Sequence, residues 1–214
     1  MSAVESLKTP QSSKGTREII LDTAERLMAE RGIDSVSLNQ IVRESNQKNA
    51  SALQYHFGNK EGLVQAIYDK HKPDIERRRE ELFEQLSDKP SLPDIIEALA
   101  LPMIEEMDNP DGGMDYLLFI SRIRYHQVNP TLEKNARQSE ILNKLSTLIS
   151  AHLDHLPDEE QELRKLMMRS TLLHYLADYS LKIKQAPSFD SSQRESFKKL
   201  LINSIVHVIQ QPLN

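Results

Sequence analysis

The sequence predicts an all-α protein of about nine helices, and three observations lead to that expectation. Only six glycines punctuate 214 residues, and long stretches consist of the helix-favouring residues Glu, Lys, Leu, Arg, Gln and Ala. No run of alternating β-branched residues is long enough to form a half-buried strand. Apolar side chains recur instead at offsets of three and four, the spacing that lines one face of a helix. The helices group into an N-terminal three-helix head with a helix-turn-helix outline and a longer helical body. The expected divisions are a polar arm at 1–13, a head at 14–72 and a body at 73–214.

The arm is rich in Ser, Thr and Gln, contains Pro10 and has little to bury. The first helix runs from Lys14 or Thr16 to Arg31, with Ile20, Ala24, Leu27 and Met28 on one stripe and Gly32 as its stop. The stretch VSLNQIVRESNQKNASALQYHFGNKEGL, from Val36 to Leu63, supplies the next two helices and the start of a fourth. Ser37 is a good N-cap, with Leu38, Ile41 and Val42 behind it, and that helix stops near Ser45. Asn46 tolerates a left-handed backbone, and Asn49 can cap a second short helix that turns Leu53 and Phe57 inward. Gly58 ends it, and Asn59 caps the following helix, whose apolar stripe begins with Leu63 and Ile67. Ile33 and Val36 close a small core with Ile41, Leu53 and Phe57.

With Leu53 and Phe57 inside, the second short helix leaves Ala50, Ser51, Gln54, Tyr55 and, more obliquely, His56 on its outer side. Gln pairs with adenine edges, Ser with any base edge and Ala with a thymine methyl, while Tyr and His donate to phosphate. On residue types alone the same set fits an ordinary solvated helix face equally well. Lys14, Arg17, Arg43, Lys48 and Lys60 lie at helix starts or beside the turn, where phosphates could sit. Each also fits plain surface charge.

The segment from about Thr16 to His71 resembles the DNA-binding domain of the tetracycline-repressor-like (TetR) family of bacterial transcription regulators. The resemblance rests on REIILDTAERLMAERG, then VSLNQIVRES, then a recognition helix ending in YHFGNKEGL. Asn46 stands where many members have glycine, and NQKN makes the turn one residue longer than the commonest form. The resemblance implies a DNA-binding set of Lys14, Arg17, Ser37, Arg43, Lys48, Asn49, Ala50, Ser51, Gln54, Tyr55, His56 and Lys60. It further implies a homodimer, most simply a repressor, that reads a palindromic operator in double-stranded DNA and is released by a small-molecule effector bound in the body. An architectural or cell-cycle DNA-binding protein without effector control is the alternative. A helical enzyme or ligand carrier comes last, since no activated nucleophile, carboxylate dyad or phosphate-binding glycine loop is present.

Charge neither supports nor contradicts DNA binding. Residues 1–72 carry ten Lys and Arg against nine Asp and Glu, a net of +1, whereas the remainder carries 17 against 23, a net of −6. Contacts to phosphate must therefore be few and local. The absence of cysteine excludes disulfides and thiolate chemistry. The apolar stretches are broken by Glu97, Pro102 or Arg122 before membrane-spanning length, and the N-terminus has no apolar signal core. A cytoplasmic protein with no cofactor, metal or membrane partner is expected.

In the body, Pro73 either kinks the helix that starts at Asn59 or divides it at Lys72–Asp74. IERRREELFEQL is a charged helix, solvated except at Ile75, Leu82, Phe83 and Leu86. LPDIIEALALPMIEEM follows Ser91, and its Pro102 frees a carbonyl near Ala98. Asn109–Gly113 is a loop, and MDYLLFISRIRYHQ runs through the middle of the body. His126 there is a core histidine or the polar point of a pocket. Asn129 and Pro130 start the next helix. His152 and His155, three residues apart at its end without a third ligand, are surface residues and not a metal site. Helical position offers Met103, Met107, Tyr116, Phe119, Ile123, His126, Met167, His174 and Tyr175 as candidate ligand-binding residues. The last two helices each have two apolar faces, one for the subunit core and one for a partner copy. Leu172, Leu173, Leu176, Ile183, Ile202, Ile205 and Ile209 are the expected interface.

Overall fold

The computed structural model describes residues 14–47, 50–123, 139–186 and 191–210, which form nine α-helices and one 3-10 turn and include no strand. The head holds α1 (Thr16–Arg31), α2 (Leu38–Glu44) and α3 (Ala50–Phe57). The long α4 (Lys60–Glu84) connects it to α5 (Leu92–Glu105), the 3-10 turn Glu106–Asp108 and α6 (Gly113–Ile123). Beyond these come α7 (Glu140–Ala151), α8 (Asp158–Gln185) and α9 (Ser191–Gln210).

Local chemistry sets the head boundaries. The Gly15 N–H donates to the Glu18 carboxylate (3.1 Å) at the start of α1, and Gly32, with φ +88°, ends it by donating to Met28 O (3.0 Å). Ser37 Oγ accepts from Gln40 N–H (3.2 Å) and Asn59 Oδ1 from Gly62 N–H (2.8 Å), so both expected caps are in place. Asn46 is left-handed at φ +54°. Ile20, Ala24, Leu27, Met28, Ile33, Val36, Ile41, Leu53 and Phe57 are buried together as the head core.

Pro73 does not divide the helix. α4 continues through it as one helix of 25 residues, about 37 Å long at 1.5 Å per residue. Pro73 and Asp69, whose carbonyl loses its helical donor, both lie on the exposed side, where water can take the carbonyl. Along the inner side Leu63, Ile67, His71, Ile75 and Arg79 form an unbroken buried stripe at four-residue steps. Arg79 corrects the expectation that this charged stretch is solvated away from its apolar positions. Its place in the stripe holds it inside, and its Nε donates to Leu99 O (3.3 Å) on α5.

Ser91 and Asp94 close a capping box on α5, and Pro102 lies within it. α6 is the central helix of the body and packs chiefly against α8 and α1. The Arg122 side chain at its far end donates to Glu30 O (3.5 Å) in the last turn of α1, a favourable place for a cation. Ser139 caps α7 by accepting from Leu142 N–H (3.4 Å). The helix expected to start at Asn129 and Pro130 begins outside the described residues. α8 carries Asp158, Glu159 and Glu160 in its first turn and Lys182 and Lys184 in its last, each sign matched to the helix dipole. It packs on α9, with Tyr179 stacked on Phe197 (3.7 Å between ring centroids) and Arg164 donating to Ile209 O (2.5 Å) near the end of α9.

Candidate nucleic-acid interface and body cavity

α3 is held by its inner side and presents its outer one. Leu53 and Phe57 are buried, whereas Ser51, Gln54 and Tyr55 are exposed and His56 is half-buried. Tyr55 is 84% exposed, more than any other large hydrophobic side chain described, and its ring lies edge-to-face with that of His56 (5.1 Å). An aromatic with a hydroxyl tip, held on a short rigid helix and left in solvent, is suited to meet another polar surface. The capped N-termini of α2 and α4 carry Ser37 and Lys60; Lys60 is half-buried and its ammonium rests on Asp34 O (3.4 Å). Arg17 lies over the Phe57 ring (5.2 Å), which puts a cation beside the end of α3, and Arg43 is exposed at the end of α2. Lys14 is turned elsewhere, bonded to Asp22 (2.7 Å) and to Asp111 of the body (3.3 Å). Lys48, Asn49 and the Ala50 side chain lie outside the described residues.

Residues 20–67 match the family profile described as bacterial regulatory proteins, tetR family. Over these residues the head has the profile of a TetR-family DNA-binding domain. Three solved structures extend the likeness in fold to nearly the whole chain. The TetR family transcriptional regulator PfmR from Thermus thermophilus is 16% identical, covers 94% of this chain and 100% of its own, and superposes with a TM-score of 0.58. The ketosteroid transcriptional regulator KstR2 of Mycobacterium tuberculosis gives 13%, 94%, 97% and 0.58 in the same order. AmtR of Mycobacterium smegmatis gives 15%, 97%, 92% and 0.56. At such identities the match shows the fold alone. No curated protein sequence matches. The profile and the structural neighbours are those of transcriptional regulators, not enzymes.

Behind the TetR-type head, the body contains a cavity of about 670 Å³ between α4, α5, α6, α7 and α8. Of the candidate ligand-binding residues, Met103, Tyr116 and Ile123 line it. Phe119 and Met107 are buried away from it, and His126 is outside the described residues. Met167, His174 and Tyr175 are on the exposed side of α8, with the His174 ring bonded to Ser170 O (2.9 Å). Tyr68, Lys72, Arg79, Lys165 and Arg169 also line the cavity, and none of them is among the candidates. For Arg79 a signal existed, its four-residue spacing from His71 and Ile75.

The expected interface residues are not on the surface. Leu172, Leu176, Ile183, Ile202, Ile205 and Ile209 are buried within the chain itself and Leu173 is half-buried, because that arc of α8 packs inward and meets α9 and α6. The apolar arc left in solvent is the other one, with Leu163, Met167, Tyr175 and Leu181.

A buried charge network joins head to body. The His71 ring on α4 is bonded through Nε2 to Glu25 of α1 (2.5 Å) and through Nδ1 to Glu106 (2.7 Å). Since both partners are carboxylates, only the doubly protonated ring can donate to both. Burial alone would lower its pKa, but the hydrogen bonds it donates to Glu106 and Glu25 prevail and raise it. Lys70 donates to Glu25 (2.6 Å) and Asp22 (2.8 Å), and Tyr116, which lines the cavity, stacks on the His71 ring (4.3 Å).

Gly112 is where the body loop meets this network. Its φ is +99°, and a Cβ there would stand 2.9 Å from Glu25 Oε2. Gly112→Ala is therefore expected to cost about 2 kcal/mol, combining left-handed strain with displacement of Glu25. In a chain of this size that lowers the thermal midpoint by roughly 4–8 °C. A midpoint unchanged to within about 1 °C on circular dichroism melting would remove Gly112 from the account.

Proposed function

We propose that this chain is a homodimeric transcriptional repressor that holds a palindromic operator with two α3 helices and releases it when a small molecule occupies the body. The observation that carries the reading is the outer face of α3. Ser51, Gln54 and Tyr55 are exposed along one side of α3, as a major-groove reading helix requires. Lys48, Asn49, Ala50 and His56 complete the expected face, with Arg17, Arg43 and Lys60 on flanking phosphates. Lys14 contributes to the bridge between head and body, not to phosphate binding.

A second copy is expected to pack on the exposed apolar arc of α8, with α9 beside it. Burying that arc in a two-fold, four-helix interface supplies the apolar area that the subunit core does not cover. It also sets two heads on one face of DNA, with half-sites about 34–36 Å apart. No helix among the described residues is long and apolar enough to cross a membrane, and a role in the cytoplasm, where bacterial DNA lies, fits this reading. The effector is expected to act by binding the two head arrangements with different affinity. The contacts from Tyr116 through His71 to Glu25 offer a physical connection between cavity and head.

Two measurements test the reading. Selection of fragments bound from the source genome is expected to return a palindrome. Its affinity should fall with salt at a log–log slope of about −5, the value for roughly six phosphate contacts per dimer. Binding without sequence preference would end the operator reading. For the interface, Met167→Glu combined with Tyr175→Glu places repeated like charges across an isologous contact and is expected to yield a monomer by light scattering, with helicity intact. A variant that remains dimeric would move the interface to another face.

A further inference from the structure

The cavity described above has an unusual wall. Most of its lining is apolar, including Ile75, Leu99, Met103, Ile120 and Met168, yet four cations also face it. Two of them are matched: Lys72 with Glu76 (3.9 Å) and Lys165 with Glu162 (3.0 Å). Among the described residues neither Arg79 nor Arg169 has a carboxylate within ion-pair distance.

Arg79 is the more telling of the two. It is 7% exposed, and its single hydrogen bond among the described residues is from Nε to Leu99 O. Its acceptor lies inside α5, one residue after Ala98, whose carbonyl has no helical donor because Pro102 lacks an N–H. The bond anchors the inner edge of the guanidinium, and among the described residues its terminal nitrogens have no hydrogen-bond partner. A buried guanidinium is costly unless a counter-charge meets it, and its donor fork matches the two oxygens of a carboxylate or the oxygens of a phosphate. Among the described lining residues, two cations in excess over carboxylates, set in a mostly apolar wall, describe a ligand with one anionic end and one apolar end.

We propose that the cavity binds an amphipathic oxyanion, a carboxylate or phosphate monoester, whose head group is taken by Arg79 and whose apolar part lies against α5, α6 and α8. This rests on the reading of the body as the effector site and deepens it. Arg169, exposed at the cavity rim, draws the anion in; Arg79 holds it.

The test compares decanoate, decyl phosphate and neutral decanamide by calorimetry on the full chain and on Arg79→Met. At least one of the two anions is expected to bind the parent ten or more times tighter than the amide. In Arg79→Met that preference should shrink to about threefold or less, with Arg79→Lys intermediate because it keeps the charge and loses the fork. The melting temperature of Arg79→Met is expected to equal or exceed that of the parent, since an unmatched buried charge has been removed. Which anion binds better separates carboxylate from phosphate. Equal binding of anion and amide to the parent overturns the anionic class and leaves the effector reading standing. An anion preference that persists in Arg79→Met, failure of all three compounds to bind, or a melting temperature lowered by more than about 5 °C in that variant also overturns the proposal. The effector reading is tested separately, by whether a small-molecule extract of the source cells releases operator DNA.

Discussion

Replacing Tyr55 by alanine is expected to reduce operator affinity by between about thirtyfold and twenty-thousandfold while leaving the fold untouched. The range follows from symmetry. A side chain that contacts base edges or the adjacent backbone contributes roughly 1–3 kcal/mol per half-site, and a two-fold dimer loses it twice. The fold is spared because the Tyr55 ring buries almost nothing, at 84% exposed, and α3 is held by Leu53 and Phe57 on the opposite side. Fluorescence anisotropy at one fixed salt concentration measures the loss, and circular dichroism verifies unchanged helicity. Lys60→Ala should behave differently. It weakens all sequences alike and makes the salt slope shallower by about 2 per dimer, the mark of a phosphate contact. An affinity within about threefold of the parent for Tyr55→Ala would take the outer face of α3 out of the groove.

The head was legible because its signals are local. Ser37, Asn46 and Asn59 act within three residues of where they stand, and Leu53 with Phe57 fixes which side of α3 faces inward. The body was less legible for two physical reasons. α8 has two apolar arcs, and Leu172 and Leu176 are buried only because α6 and α9, remote in sequence, pack on that arc and leave Met167 and Tyr175 outside. In the run Arg77, Arg78, Arg79, charge density concealed position. Arg77 and Arg78 find carboxylates at the surface, and Arg79 alone falls on the stripe with His71 and Ile75. The three-way meeting of Glu25, His71 and Glu106 brings together side chains 46 and 35 residues apart, a distance no helical period spans. Similarly, Tyr116 and Ile123 of α6 reach the cavity and Phe119 does not, which depends on where α4 and α7 approach.

That three-way meeting is also where the largest loss of stability is expected. Glu25→Ala removes the carboxylate shared by His71 and Lys70, and breaking a buried ion pair from one side costs about 3–5 kcal/mol. The thermal midpoint should fall by roughly 6–20 °C. The pH dependence has a definite sign. Because the His71 pKa is raised in the folded state, its contribution is fully present below the unfolded value of about 6.5. The contribution is lost as pH rises through the higher folded value. The parent's midpoint should therefore decline from pH 6.5 upward through the neutral range, and His71→Gln should flatten that decline. Despite burial, Lys70 is raised as well by its bonds to Asp22 and Glu25, from an ordinary lysine value already far above this window, so it stays charged throughout. A parent midpoint that holds constant above pH 6.5, or a decline just as steep in His71→Gln, would show that the imidazolium is not what joins α1 to α4. If the decline is confirmed, deprotonating one ring loosens the same contact that links the Tyr116 wall of the cavity to the head, and operator affinity measured across that pH range should change with it.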